Sequence, residues 1–295
     1  MQDATYYIQL LLSGVTVGSL YALIAIGYTM VYGILRLINF AHGDIFMMAG
    51  FFMIYLSAST SFYVSVPVTL LLTVLLGITI ERVAYKPLRS APRMSVMISA
   101  IGVSYLLQNL ATYITGGLAR PYPEMSFLTH TVTLGSMSVK VITIVTPILT
   151  LLLVLALVLL INHTKIGMAM RAVSKDFSTS QLMGIRVDNV IQVTFVIGSF
   201  LAAIGSILYF SNYGQVSPTI GAMPGLKAFV AAVFGGIGSI PGAVLGAFII
   251  GICESFIKAN NEIAIFSNAF TFVLLIVILL FKPNGMFGEK MTEKV

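Results

Sequence analysis

The amino-acid sequence predicts an all-α, polytopic membrane protein of about eight transmembrane helices with one broken, re-entrant hairpin. The first observation behind this prediction is composition. The 295 residues are 58% hydrophobic and only 9% charged, whereas soluble domains carry roughly 25% charged residues. The second is patterning, since apolar runs of about 20 residues, the length that spans a bilayer, follow one another between short polar breaks. We therefore expect one transmembrane domain over residues 1–295.

Seven apolar runs are interpreted as regular spans, and the first of them carries Gly14 and Gly18. Small residues four positions apart let two helices approach closely, although glycine is common in membrane helices in general. The predicted spans are 7–35, 40–58, 64–84, 94–115, 141–162, 188–212 and 263–281.

The first polar break, RLINFAHGD over residues 36–44, contains Asn39, His42 and Asp44 close to an apolar helix. Polar groups inside a membrane are costly and normally face protein or water. Two interpretations are open: residues of a pathway or gate, or a short loop at the membrane surface, which we favour. His42 and Asp44 alone are too few ligands for a metal site.

Basic residues predict which side of the membrane each break faces. With the N-terminus outside and 220–256 folded as a hairpin, every basic cluster becomes cytoplasmic. The loop at 116–140 is then external, and its stretch THTVTLGSMSV alternates like a short β-hairpin. Twelve of the 16 Lys and Arg residues are placed inside: Arg36, Arg82, Lys86, Arg89, Arg93, Lys165, Arg171, Lys175, Arg186, Lys282, Lys290 and Lys294.

The glycine-rich stretch 220–256 does not fit a single helix. Three glycines, at 235, 236 and 238, follow a ten-residue apolar run, and Ser239 and Pro241 then provide a helix start. We predict a half-helix, a glycine turn and a second helix at about 241–256, lining a pathway or a partner subunit. Lys227 either pairs with Glu254 or extends to the outer headgroups, and we favour the second interpretation.

The longest polar interruption in the second half of the chain is 163–187, HTKIGMAMRAVSKDFSTSQLMGIRV. The segment contains four Lys or Arg residues but only one acidic residue, Asp176, and apolar residues are interspersed among them. A short amphipathic helix capped by Ser174 or Asp176 fits this pattern. A solvated cytoplasmic loop and a docking surface for a partner both remain open.

Several classes of function are not supported by the sequence. It has no G-x-x-x-x-G-K-[ST] phosphate loop, so a second chain must supply any energy from ATP. We find no nucleophile–base set, no metal or cofactor motif, and no need for a nucleic-acid partner to explain the net charge of +6. The lone Cys253 excludes an internal disulfide.

Five runs together resemble the permease subunits of branched-chain amino acid ABC importers, the LivH type. The resemblance covers nearly the whole chain, in the expected order. The runs are ALIAIGYTMVYGILRLINFAHGD (22–44), ERVAYKPLR (81–89), MISAIGVSYLLQN (97–109), MRAVSKDFSTSQLMGI (170–185) and KAFVAAVFGGIGSIPGAVLG (227–246).

The resemblance implies a heteromeric importer in a bacterial inner membrane. An extracytoplasmic binding protein delivers leucine, isoleucine or valine, a second related permease pairs with this chain, and two cytoplasmic ATP-binding subunits drive the cycle. Segment 163–187 then contains the ATPase-coupling loop, although Arg171-Ala172-Val173 replaces the Glu-Ala-Ala of many importers. The coupling residues implied are Arg171, Ser174, Lys175, Asp176, Leu182, Gly184 and Ile185.

Other residues are assigned to the route and to packing. We expect Asn39, His42 and Lys227 near the route of the cargo. Gly14, Gly18, Gly242 and Gly246 are expected to pack between subunits.

Two alternatives remain open. Related permeases that carry urea, ribose-type sugars or nucleosides would differ only in cargo. An ion-coupled carrier or channel belongs to another class, but the sequence lacks a clear internal repeat and paired mid-span carboxylates. Spans rich in Gly, Ala, Ile, Val and Met suit an aliphatic side chain better than a sugar.

Overall fold

The computed structural model describes residues 2–134, 137–282 and 284–288, and this part of the chain is almost entirely helical. The α-helices are α1 Gln2–Leu35, α2 His42–Ser57, α3 Phe62–Ile80, α4 Arg93–Thr115, α5 Ser126–Thr129, α6 Val141–His163, α7 Lys165–Lys175, α8 Phe177–Leu182, α9 Val187–Tyr213, α10 Ala222–Gly235, α11 Ile240–Ala259 and α12 Ser267–Phe281. The short strands are β1 Arg120–Pro121, β2 Thr131–Leu134, β3 Met137–Lys140 and β4 Gln215–Val216.

Seven helices in the described residues are long and apolar enough to cross a membrane, and α10 is a shorter apolar helix. The seven are α1, α3, α4, α6, α9, α11 and the segment ending in α12. The prediction of an all-α, polytopic membrane protein is confirmed, and most predicted span ends fall within two residues of the observed ones.

Helix α1 forms the centre of the molecule. It contacts α6, α7, α9, α10 and α11, and its residues 18–31 are buried. A Cβ at Gly14 would lie 2.7 Å from the Cα of Ile252, and one at Gly18 would lie 2.8 Å from the Cα of Phe248. These glycines therefore let α11 pack directly on the backbone of α1. The prediction that they pack between subunits is wrong, because both are buried inside this chain.

The glycine-rich stretch folds as the predicted pair of helices. Helix α10 ends at Gly235, the turn contains Gly236 and Gly238 with φ of 108° and 99°, and the Ser239 hydroxyl caps α11 by accepting from the Gly242 amide at 3.3 Å. Helix α11 is a full 20 residues long.

Gly242 and Gly246 lie inside this hairpin. A Cβ on Gly242 would collide with the Gly235 carbonyl, and one on Gly246 would collide with the Ala231 carbonyl. Both glycines are buried between α10 and α11, so their predicted packing against a second subunit is also wrong.

The basic segments gather at one end of the molecule. The Arg36 guanidinium donates to the Ser174 carbonyl at 3.2 Å, and Lys86 pairs with Asp188 at 2.9 Å, so the breaks after α1, α3 and α6 are neighbours. We call this the basic end. Pro283 and the basic tail residues Lys290 and Lys294 lie outside the described residues.

The opposite end carries the small β-structures. Strand β1 pairs antiparallel with β4, and β2 pairs antiparallel with β3, which confirms the predicted hairpin in 116–140. Its turn residues 135 and 136 lie outside the described part of the chain.

Candidate functional site

Segment 163–187 forms two short helices, α7 and α8, at the basic end. The Thr164 hydroxyl caps α7 by accepting from the Gly167 amide at 3.1 Å, and the Asp176 carboxylate caps α8 by accepting from the Thr179 amide at 2.9 Å. The predicted capping role is thus confirmed for Asp176. It is wrong for Ser174, whose hydroxyl donates to the Arg171 carbonyl at 2.9 Å. Sequence reasoning missed Thr164.

Helix α7 is tied to the rest of the molecule at two places. The Arg171 guanidinium donates to the Ile161 carbonyl at 2.7 Å and to Asn162 Oδ1 at 3.2 Å, at the end of α6. Arg36, at the end of α1, reaches the Ser174 carbonyl near the last turn of α7. Arg171 and Ser174 therefore help to fix the orientation of α7 against two membrane helices.

The tip of the segment is apolar and exposed. Leu182 is 88% exposed and Met183 is 78% exposed, and Lys175 is exposed on the same segment. Gly184 has a φ of 81°, and a Cβ there would meet no described atom within 4 Å. Ile185 is half-buried and packs against the hydrophobic core. Exposed large apolar side chains beside cations, at the end of a helical bundle, form a surface suited to a protein partner.

The polar break after α1 is buried, so the favoured prediction of a surface loop is wrong. Asn39, His42 and Asp44 are each 2% exposed or less. The Tyr85 hydroxyl donates to Asn39 Oδ1 at 2.8 Å, which links the break to the segment after α3. The break folds inward because α2 begins at His42 and packs between α9, α3 and α10.

Asp44 joins α2 to α4. Its carboxylate accepts hydrogen bonds from the Ser104 hydroxyl and from Gln108 Nε2, the second at 3.0 Å. Ser104 and Gln108 are four residues apart, one turn of the same helix face. That spacing was visible in the sequence, but nothing in it connected the pair to Asp44.

The His42 ring lies in a space opened by a glycine. It sits against Gly27, where a Cβ would collide with Nε2 and Cε1, and it makes an edge-to-face contact with Tyr28, with ring centroids 5.0 Å apart. His42 Nε2 and Asn39 Nδ2 are buried with no hydrogen-bond partner among the described residues. The described residues also contain no group of three or more His, Cys, Asp or Glu that could hold a metal ion.

A second buried cluster joins α10, α11 and α1, and we call it the Glu254 cluster. Glu254 Oε1 accepts from the ammonium groups of Lys227 at 2.7 Å and Lys258 at 2.6 Å, and Oε2 accepts from the Tyr21 hydroxyl at 2.9 Å. Lys227 is only 4% exposed. The favoured prediction that Lys227 extends to the headgroups is wrong, and the pairing with Glu254 is confirmed.

The Glu254 cluster borders a groove of about 450 Å³ between α1, the end of α9 and the end of α11. The structure does not bring the three predicted pathway residues together. Asn39 lies in the break before α2 and His42 begins that helix, whereas Lys227 lies in α10 as part of the Glu254 cluster.

Comparisons with known proteins find transport permeases that match most or all of the chain. The family model described as branched-chain amino acid transport system / permease component matches residues 10–279. The high-affinity branched-chain amino acid transport system permease protein BraD of Pseudomonas aeruginosa is 41% identical over 309 residues, covering 100% of both chains. The permease protein LivH of the same kind of system in Escherichia coli K12 is 40% identical, covering 98% of both chains. The autoinducer 2 import system permease protein LsrC of Yersinia pseudotuberculosis is 27% identical over 64% of this chain and 54% of its own length.

Proposed function

Because the chain belongs to the family of branched-chain amino acid transport system permease components, we propose that it is the membrane-spanning permease subunit of an ATP-driven importer for leucine, isoleucine and valine. The main support for this proposal is sequence similarity to transport permeases over the full length of the chain. Relatives about equal in length, with 40–41% identity, are named for transport of this class of substrate. The relative named for autoinducer 2 import matches less of the chain at lower identity, which favours an amino acid as cargo.

The permease needs a separate source of energy, since its sequence has no phosphate-binding loop. We infer that two ATP-binding subunits dock at the basic end, which the distribution of Lys and Arg assigns to the cytoplasm. A second permease and an extracytoplasmic binding protein complete the proposed complex. Asn39, His42 and Lys227 are retained as candidate residues near the route.

We assign the docking surface to the α7–α8 segment. Lys175, Leu182 and Gly184 are exposed and would contact the ATP-binding subunit directly. Arg171, Ser174, Asp176 and Ile185 would act by holding the two helices in position, through the cap and the hydrogen bonds to α6 and α1. An apolar tip with neighbouring cations suits insertion into a groove of a partner protein.

Uptake by the reconstituted complex tests the cargo. Proteoliposomes that contain both permeases, the ATP-binding subunits and the binding protein should accumulate labelled leucine, isoleucine and valine when ATP is inside. If these fail while urea, a pentose or a nucleoside is taken up, the cargo is wrong but the importer class stands. Uptake driven by an ion gradient without the ATP-binding subunits would contradict the importer class itself.

Substitution of Gly184 tests the coupling surface. Its left-handed backbone costs a β-branched residue about 1–2 kcal/mol, so we expect Gly184→Val to lower leucine uptake per ATP hydrolysed by about tenfold. Gly184→Asn should retain most coupling, since Asn tolerates this conformation. Gly214→Val is the matched control, because Gly214 has a φ of 75° and open space but lies at the opposite end. Equal coupling in Gly184→Val and the wild type would refute this role.

Cross-linking tests the docking contact independently. A cysteine at Leu182 should cross-link to an ATP-binding subunit. A cysteine at Phe127, which is also apolar and highly exposed but lies at the opposite end, should not. Cross-linking at neither position, in an assembled complex, would remove the docking assignment.

A further inference from the structure

The groove beside the Glu254 cluster has the size and composition of a small-molecule site. Its volume of about 450 Å³ lies within the range of roughly 300–1,000 Å³ found for ligand pockets. It opens at the end of the molecule that carries β1–β4, away from the α7–α8 segment. The proposed docking surface for ATP-binding subunits and this groove are therefore at opposite ends.

The charge at the base of the groove is unbalanced. Two ammonium groups, those of Lys227 and Lys258, share a single carboxylate oxygen of Glu254. The other oxygen accepts from the Tyr21 hydroxyl, so both oxygens of the carboxylate are engaged within the cluster. The Glu254 cluster therefore carries one excess positive charge, which reaches the groove at the half-exposed Lys258, and an anion there would balance it.

Lys258 is the member of the cluster that can reach a ligand. It lines the groove and is half-exposed, whereas Lys227 and Glu254 are buried. An ammonium group offers three donors, and the contact with Glu254 uses one of them. Two donors of Lys258 remain for a second acceptor.

The walls of the groove suit a ligand with one apolar end. Tyr6, Leu10 and Val17 of α1 provide apolar surface, and Gln9 and Ser13 on the same helix provide hydrogen-bonding groups. Gln9 and Ser13 lie four residues apart, so they face the groove from adjacent turns. Their side-chain oxygen atoms are acceptors suited to an ammonium group.

We propose that this groove is a weak binding site for an aliphatic α-amino acid, with the ligand carboxylate on Lys258 and its side chain against Leu10 and Val17. The inference rests on the proposed function and adds to it a place where the cargo is held before it crosses. A single half-exposed cation gives little affinity, as a transport site requires, because a tightly held substrate would not leave. An anionic lipid headgroup also presents negatively charged oxygen atoms that Lys258 can bind, and the test separates the two ligands.

Protection from a thiol reagent tests the site at low affinity. The complete complex carries Ala259→Cys, at an exposed position that lines the groove and has no assigned contact with the ligand, in a Cys253→Ser background in phosphatidylcholine nanodiscs. Labelling of this chain by a maleimide is followed. Leucine at about twice its dissociation constant should slow labelling about threefold by mass action. Leucinamide, which lacks the carboxylate, should give no protection, and glycine should protect less than leucine.

Variants of Lys258 identify the anchor. Lys258→Gln should abolish protection, whereas Lys258→Arg should retain it. A control cysteine at Ser126, exposed in α5, should label at the same rate with or without leucine. Unchanged protection in Lys258→Gln, protection by leucinamide, or no protection at all would overturn the proposal. Protection by phosphatidylglycerol in the absence of leucine would show that the groove binds lipid, and this result would also overturn the proposal. Leucine uptake by the wild-type complex is measured alongside, so a failure of the groove is distinguishable from a failure of the importer.

Discussion

Single side chains decide how the first polar break of this chain is folded. His42 fits beside α1 only because position 27 has no side chain, and its ring then packs on Tyr28. Asn39 and Asp44 are buried with it. Asn39 accepts a hydrogen bond from Tyr85 after α3, and Asp44 accepts one from Gln108 in α4. A Cβ at position 27 would collide with the His42 ring, so this arrangement is stable only while that position remains glycine.

We therefore predict that Gly27→Ala destabilises the protein by about 1–3 kcal/mol, because the added methyl group collides with the His42 ring. Gly33→Ala on the same helix is the control, since its Cβ would approach a described atom no closer than 3.7 Å, and alanine favours a helix. The measurement is the thermal unfolding midpoint in detergent. Combining Gly27→Ala with His42→Ala should cost less than the sum of the two single changes. Strict additivity would contradict the proposed collision.

At the scale of elements, the α10–α11 hairpin is joined to α1 by both packing and charge. Glycines let α11 approach α1 and α10, and the Glu254 cluster then connects all three helices through one carboxylate. The three donors are not equivalent, because Lys227 is buried and Lys258 is half-exposed. Removing the carboxylate and removing one lysine should consequently have different costs.

We predict that Glu254→Gln lowers the stability by about 3–5 kcal/mol, because it leaves two neighbouring cations without their anion. Lys227→Met should cost less, since Glu254 keeps Lys258 and Tyr21 as partners. Glu262→Gln, an exposed carboxylate near the same end, should change stability by less than about 0.5 kcal/mol. Equal losses for Glu254→Gln and Lys227→Met, measured by thermal unfolding, would contradict this ranking.

Sequence reasoning located the elements better than their contacts. Apolar runs predicted the spans, clustered glycines predicted the α10–α11 turn, and an alternating pattern predicted the β2–β3 hairpin. Each of these signals lies within a short stretch of sequence. The partners of Asp44 and the burial of Lys227 depend on residues 60 and 27 positions away, respectively, and no local pattern encodes such distances. The glycines were assigned to the wrong interface for the same reason, since a small-residue spacing signals close packing without naming the neighbour.

At the scale of the whole molecule, charge is distributed unevenly between the two ends. The breaks after α1, α3 and α6 carry most of the described Lys and Arg residues and lie side by side. The opposite end carries the β-structures and the groove. The positive-inside rule predicts that the basic end faces the cytoplasm.

We predict that cysteines placed at Ser90 and Ser178 label with an impermeant maleimide only after permeabilisation, while one at Ser126 labels on intact spheroplasts. All three serines are exposed in this chain. The chain is expressed without the ATP-binding subunits, because the proposed docking surface includes Ser178. The background is Cys253→Ser, which removes the native thiol of this chain. Labelling of intact spheroplasts at Ser90 or Ser178, but not at Ser126, would reverse the orientation.

Helix α1 touches both ends, through Arg36 on the α7 backbone and through Tyr21 on Glu254. Suppose that binding of the ATP-binding subunits moves α1 and thereby changes the affinity of the groove for an amino acid by some factor. An amino acid bound in the groove must then change the affinity of the chain for the ATP-binding subunits by the same factor. Thermodynamic reciprocity requires this, because the coupling free energy belongs to the pair of sites and to neither alone. An amino acid bound at one end of the molecule would then change how tightly the ATP-binding subunits bind at the other end.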